Sequence, residues 1–363
     1  MVATMKLVTT CLALLLALQI VANAQSADDR YPFIRGNKLG YIDYQGREVI
    51  APRFGTAGFA DFNAGLASVF EAGKGFGYID PSGKYVIGPT MEWGWGRTFH
   101  EGIASMLIIG KNGERNRPAW INEKGEIIFT GMGNEGSYFS DGLMPMPDEG
   151  AGKWGFVDKN FKFVIPPQFD LAFEFSEGRA PVSINQKWGF IDVSGKLVVP
   201  AKYDHVWRFN DGLARVRIDT AIGTVRTFEG PEIKYNRRHG FVDRDGTEVI
   251  ALQFADATRF SEGYAFVVPA TLNRWAIIDK RGNFIRQPEF ESAEEFHEGL
   301  AAVAVEGKYG YVDTSGKWVI RPKFEHADAF RNGLARVSWT PAIYGYIDKT
   351  GKAVWKITTD GRR

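Results

Sequence analysis

The feature that most constrains this chain is its own repetition. A phenylalanine followed three positions later by glycine recurs at Phe62, Phe99, Phe139, Phe175, Phe209, Phe260, Phe296 and Phe330, at nearly even spacing apart from the longer step between Phe209 and Phe260. Between these lies a second mark, Gly–aromatic–Ile/Val–Asp in its fullest form, ending in Asp43, Asp80, Asn122, Asp158, Asp192, Asp243, Asp279, Asp313 and Asp348. Glycine stands three positions beyond each of these except Asp158, where Phe161 takes its place. A unit of this size cannot bury its own apolar face, so neighbouring units must stack to make a core. The 363 residues, which would otherwise suggest two domains, therefore read as one array over residues 31–363.

The local chemistry of each unit is that of a β-hairpin. Gly189 to Asp192 is aromatic and β-branched, which suits a pleated strand. Asp192 opens the turn and caps it with its side chain, while Gly195 supplies the positive φ that closes it. Asp313 and Gly316 repeat the pair. Leu197, Val198 and Val199 form the return strand, which Pro200 ends because it has no N–H for the ladder. Another strand begins after the leading phenylalanine: Ala214, Val216 and Ile218 alternate with Arg215 and Arg217. Between units, Phe-x-x-Ala-x-x-Phe recurs (Phe254, Ala257, Phe260), a spacing that predicts one short 3₁₀ turn or a bent loop.

Lys153-Trp154-Gly155, Lys187-Trp188-Gly189 and Lys308-Tyr309-Gly310, each followed by aromatic-Ile/Val-Asp, resemble the WG (KWG) repeat family of bacterial proteins over residues 33–355. The resemblance implies an architecture and no particular reaction. The expected fold is all-β: nine three-stranded WG-like repeats in an open superhelical stack, with a closed β-propeller-like ring as the alternative. The open stack is favoured because the shortest steps, from Phe175 to Phe209 and from Phe296 to Phe330, leave little room for a fourth strand. The first unit also lacks the leading Phe-x-x-Gly, as a capping unit would.

Residues 1–24 read as a secretory signal peptide, with Lys6, an apolar run over residues 7–21 and Ala22-Asn23-Ala24 as the cleavage site. A short linker follows over residues 25–30. Cleavage would leave a chain with no cysteine, since Cys11 lies in the leader, and with Lys+Arg equal to Asp+Glu at 43 each. No disulfide then supports the fold, and a neutral chain argues against nucleic acid as a partner. No membrane span is expected after cleavage. An exported protein, periplasmic, at the cell surface or extracellular, is the resulting expectation.

No catalytic constellation stands out. The turn aspartates are explained by capping rather than metal binding, and the five histidines show no ligand spacing. Neither a nucleophile elbow nor a phosphate loop is present, so no cofactor or metal is expected. Glu101, Glu177, Glu262 and Glu298 share one repeat position, which suits a framework better than a unique acid–base pair. Departures from the repeat are the better guide to a binding surface. They are Trp93 and Trp95, which would face the same way in a regular strand as a sugar platform, and Tyr235, Arg237 and Arg238 in an insertion at about residues 219–238. The chain reads as a non-catalytic binding or scaffolding module for a protein or envelope glycan. The alternative is a carbohydrate-active hydrolase or a carbohydrate-binding module.

Overall fold

The computed structural model describes residues 29–56, 61–110, 114–131, 136–148, 150, 152–227 and 230–358. The leader and most of the linker read from the sequence lie outside these residues. The described chain is all-β, built of antiparallel meanders in which strand order follows chain order. No helix among the described residues is long and apolar enough to cross a membrane.

The fifth unit shows the pattern. Arg179–Ile184 pairs with Lys187–Asp192, which pairs with Leu197–Tyr203. Strand residues with alternating faces put Ala180 and Val182 into one core and Phe190 and Val199 into the next. Each sheet thus has two apolar faces and must be covered on both. At the turn, Asp192 Oδ1 accepts the N–H groups of Ser194 and Lys196 at 2.9 and 3.1 Å. Gly195 has φ 86°, as the hairpin reading requires, and an added Cβ would meet Ile165 of the preceding unit at 2.9 Å. Gly195→Val is therefore expected to cost about 1–3 kcal/mol in urea unfolding; an unchanged midpoint would contradict the hairpin assignment.

The structure departs from the sequence reading in four places. The Phe-x-x-Ala-x-x-Phe linker forms no 3₁₀ turn. Instead it lays a short strand on the sheet edge, as at Leu171–Ala172, His205–Val206, Ser292–Ala293 and His326–Ala327, so the fifth, sixth, eighth and ninth units have four strands, not three, as the third does through Trp93–Gly96. So short a strand adds little length, which is why even the most closely spaced units accommodate it. Second, the sixth and seventh units form one seven-stranded sheet, because Glu248–Ala257 runs on without a break.

Third, the fourth unit has no turn glycine, and Phe161 itself occupies the left-handed region that glycine fills in the other units, with φ 58°. Its ring lies flat on Phe129 of the preceding unit (centroids 4.2 Å apart, 7° between planes) and meets Trp120 and Phe139. Where other units press a turn glycine onto an aliphatic side chain, this pair replaces both partners, and ring packing offsets the backbone strain.

Fourth, the expected open stack would leave its first and last units apart, and here they meet. Tyr31, Phe33 and Ile42 share a core with Leu334, Tyr346, Trp355 and Ile357. Tyr344 Oη accepts from Ile34 N–H at 3.0 Å and donates to the Ile34 carbonyl at 2.7 Å, while Tyr346 Oη donates to Pro32 O at 2.8 Å. The first unit thereby covers the apolar face that the ninth would otherwise expose to water.

Candidate functional site

The repeated residues are taken up by the frame. In each Phe-x-x-Gly mark the residue before glycine is left-handed, and where it is acidic its carboxylate reaches the next unit. Glu177 accepts from Gly212 N–H at 2.9 Å, Glu262 from Gly299 N–H at 2.8 Å and Glu298 from Gly333 N–H at 2.9 Å. Arg244 and Lys349 close the same links on Glu177 and Glu298. These glutamates are inter-unit clamps, so their recurrence needs no catalytic explanation.

The residue immediately before the leading phenylalanine behaves differently. It is Asp61, Thr98, Tyr138, Glu174, Arg208, Arg259, Glu295 and Ala329 in successive units. These side chains meet across units that are not neighbours. Arg208 of the sixth unit donates to Tyr138 Oη of the fourth, and Asp61 of the second lies 3.2 Å from Arg331, the residue after the leading phenylalanine of the ninth. Units two apart can touch only near a common centre, so this position lines the middle of the array. There Arg259 and Glu295 pair in bidentate fashion at 2.9 Å, which holds the Arg259 proton more firmly than usual. Burial pushes the Glu174 carboxyl upward despite Arg208 at 3.8 Å, and His100, stacked on Tyr138 at 4.1 Å, is pushed downward by burial and by Arg208. A cavity of about 820 Å³ opens at this centre, lined by Asp61, Arg259, Glu295, Asp328 and Arg336 among others. Its walls are charged in both senses, so it offers ion pairs rather than an apolar slot. The signal for this site was present along the chain, as a position whose identity changes from unit to unit beside a phenylalanine that recurs. Alternation alone does not say which face points inward.

The residues singled out in the sequence fall elsewhere and in two groups. Trp93 and Trp95 lie on the strand Trp93–Gly96 of the third unit. A bulge pairs them with consecutive residues, Ile108 and Leu107, so they take opposite faces instead of one. Trp93 packs in the core beside Tyr78, whereas Trp95 is half-buried with Arg97 5.0 Å above its ring. Tyr235, Arg237 and Arg238 sit on the inserted segment of the sixth unit, which is no separate loop. It continues the strands Leu213–Thr227 and Gly230–Asp243 beyond the sheet as a two-stranded arm. Tyr235 is exposed there, and Arg237 lies 3.9 Å from Asp219. Asp192, Gly195, Asp313 and Gly316 hold their turns. Among the described residues no group of three or more Asp, Glu, His or Cys side chains is placed to hold a metal.

The turn aspartates make a pH-dependent contribution. The Ser194 hydroxyl, followed by the backbone amides of Lys196 and Ser194, holds Asp192 below the usual 3.8, and Ser82 does the same for Asp80. A carboxylate whose folded pKa is depressed contributes stability above its unfolded value and loses it as pH falls through the folded one. Thermal midpoints should therefore begin to fall below about pH 6.5, where the unfolded chain takes protons that the partly or fully buried imidazoles of His100, His205 and His239 resist, and fall further below about pH 4 as the turn aspartates are protonated; a midpoint unchanged down to about pH 2 would contradict this.

These features define a class: an all-β repeat array in which repeated residues build the frame and unrepeated ones line the centre. The description "WG containing repeat" matches residues 40–74, 154–188, 188–219, 240–268, 275–309 and 309–338, more than half of the chain, and the protein belongs to that family. No curated protein matches its sequence. Among solved structures, the crystal structure of a eukaryotic initiation factor is similar with a TM-score of 0.65 at 11% identity, over 92% of this chain and 96% of that one. The computationally designed Ika8 protein gives a TM-score of 0.43 at 11% identity, over 81% and 93% of the two chains. At this identity the first likeness speaks for the fold alone.

Proposed function

We propose that the protein is exported and serves as a non-catalytic binding or scaffolding module for a protein or an envelope glycan. One observation carries this reading: a single repeat position presents Asp61, Thr98, Tyr138, Glu174, Arg208, Arg259, Glu295 and Ala329 at the centre of a frame built on recurring Phe, Gly and turn Asp residues. A frame that repeats while its central position varies is suited to recognising one particular partner rather than to a shared chemistry. The projecting arm, with Tyr235, Arg237 and Arg238, offers a second surface away from that centre. The family is not a known enzyme family, and the recurring glutamates are already engaged as clamps, which lowers the case for a hydrolase.

Two measurements test the reading. Intact mass of the protein recovered outside the cytoplasm should show cleavage after Ala24; a soluble cytoplasmic form retaining Met1 would remove export. In pull-downs from envelope extracts, charge reversal at Arg259 and Glu295, or replacement of residues 220–236 by a short turn, should abolish partner capture while leaving the circular dichroism spectrum unchanged. Capture that survives both changes would remove the proposed surface. Glycan binding is the second reading, favoured by half-buried Trp95 beside Arg97; there Trp95→Ala alone should remove retention on a glycan column.

A further inference from the structure

The sixth unit breaks the repeat inside the fold as well as outside it. Where other units carry Lys-Trp-Gly, it has Arg238-His239-Gly240, and where the fifth and eighth units place Pro181 and Ala302, it places Arg215. Arg215, Arg217 and His239 share one face of this sheet, turned toward the seventh unit, because Arg217 pairs directly with His239 and Arg215 with Phe241, whose ring is in the core shared with Phe254 and Phe260. Trp207 is the hub. The Arg215 guanidinium lies 3.3 Å from the centre of its ring, Arg217 lies 6.0 Å away, and His205 and His239 have ring centroids at 4.3 and 5.6 Å.

Charge in this wedge is not balanced. Arg217 pairs with Asp219 at 2.7 Å, Arg215 lies 3.4 Å from Asp256, and Arg237 approaches the same Asp219 at 3.9 Å. Asp204 is engaged by Lys187 at 2.6 Å. Three guanidinium groups therefore share two carboxylates, and the Asp256 carboxylate is half-exposed to water, which screens it. Four buried side-chain atoms of the wedge make no hydrogen bond: Arg217 Nε and Asp219 Oδ1, which face each other as an ion pair at 2.7 Å, and Arg215 Nε and His239 Nδ1. His239 is 3% exposed, and its other nitrogen is 3.9 Å from Asp256, beyond hydrogen-bonding distance. Burial, then Arg215 and Arg217, pull the His239 pKa down to about 3, and burial lowers Arg215 to about 10. Beyond burial, the His239 shift reflects the nearby Arg215 and Arg217 charges, whereas the Arg215 shift is one of burial that Asp256 only partly offsets. Buried polar groups ordinarily find partners, and a buried cation is costly until it is paired.

We propose that this wedge is a binding site for a small oxyanion, a phosphate or a carboxylate, held by Arg215 and Arg217 with His239 as a neutral hydrogen-bonding partner and Trp207 as the floor. The half-exposed Arg237 and Asp256 mark the side on which it opens to solvent. The bound anion would supply the third negative charge, and the planar guanidinium fork of arginine matches both oxyanion geometries. None of Arg215, Arg217, His239 and Trp207 lines the central cavity, although its Arg259 and Glu295 act on Arg215 through space, and the site does not depend on the function proposed above.

The test follows the imidazole nitrogens of His239 by ¹⁵N NMR in the purified protein at low ionic strength, the resonance being assigned by its loss in His239→Gln. Inorganic phosphate should shift it along a saturating curve, and Arg217→Met should weaken that curve by about tenfold or more, as expected for loss of a charged hydrogen bond. Acetate is titrated in parallel. Saturation by acetate as well as phosphate points to a carboxylate such as a partner's acidic side chain, and saturation by phosphate alone points to phosphate. No saturable shift with either anion in the wild type, or an unchanged curve in a folded Arg217→Met, overturns the proposal. The wild-type titration decides even where the variant does not fold.

Discussion

Gly189→Ala, a change of one methyl group, is expected to destabilise this protein more than the exposed positions of the array would suggest. Gly189 is the glycine of Lys187-Trp188-Gly189, and its backbone is an ordinary strand, not a left-handed turn. The reason for glycine lies in the neighbouring strand. The pairing of Lys187–Asp192 with Leu197–Tyr203 shifts register between Trp188 and Phe190, so the return strand bulges toward this point. An added Cβ would stand 2.7 Å from Ala201 N and closer still to the Val199 carbonyl oxygen. Both obstacles are backbone, which no rotamer change can relieve. The same approach recurs at Gly310 against Pro322 N, at 2.7 Å. Overpacking of this kind costs about 3 kcal/mol when the surroundings cannot shift. Gly178→Ala is the control, since its φ of 75° is strained by any side chain while nothing lies within 4 Å of an added Cβ. The expected order in urea unfolding is Gly189→Ala well below Gly178→Ala, and Gly178→Ala below wild type. Equal midpoints for the two variants would show that backbone conformation, not close approach, fixes the glycine of this repeat.

Trp355→Ala is expected to have the second large effect, and one that changes shape as well as stability. Trp355 is 5% exposed and packs on Phe33 from the opposite end of the chain, with ring centroids 4.8 Å apart. Removing a buried tryptophan costs about 3–5 kcal/mol. Here the loss falls on the junction that joins the ninth unit to the first. The wild-type chain should scatter as a compact body with a radius of gyration of about 20 Å, and the variant should show a larger value as the junction opens. Trp120→Ala separates the two effects, because Trp120 is equally buried but packs within the third and fourth units, against Phe129 and Phe161. It should lose comparable stability with no change of radius. An unchanged radius in Trp355→Ala at a temperature where the protein stays folded would mean that the remaining contacts, led by Tyr344 and Tyr346 with residues 32–34, hold the ends together without it.

Much of this protein is determined by short-range chemistry and could be read along the chain. The Asp–Gly spacing sets each hairpin turn, alternation sets each strand, and repetition sets the number of units, because all three depend on residues a few positions apart. Asp192 capping its turn and Gly195 at positive φ needed no tertiary information. The tertiary structure alone decided whatever depends on who lies beside whom. Nothing along the chain marks Phe129 as the partner on which Phe161 would lie, since the two belong to different units and the strain at one is offset only by the ring of the other. Nor does the strand pattern around Trp93 and Trp95 reveal the bulge that turns them to opposite faces. Closure is the clearest case. Tyr31, Phe33, Tyr346 and Trp355 look like ordinary strand residues in two terminal units, and the apolar face each unit leaves for its neighbour is the same in a stack as in a ring. Whether the last face meets the first depends on the small rotation between successive units, summed over all nine, and that sum is a property of packed sheets rather than of any one segment of sequence.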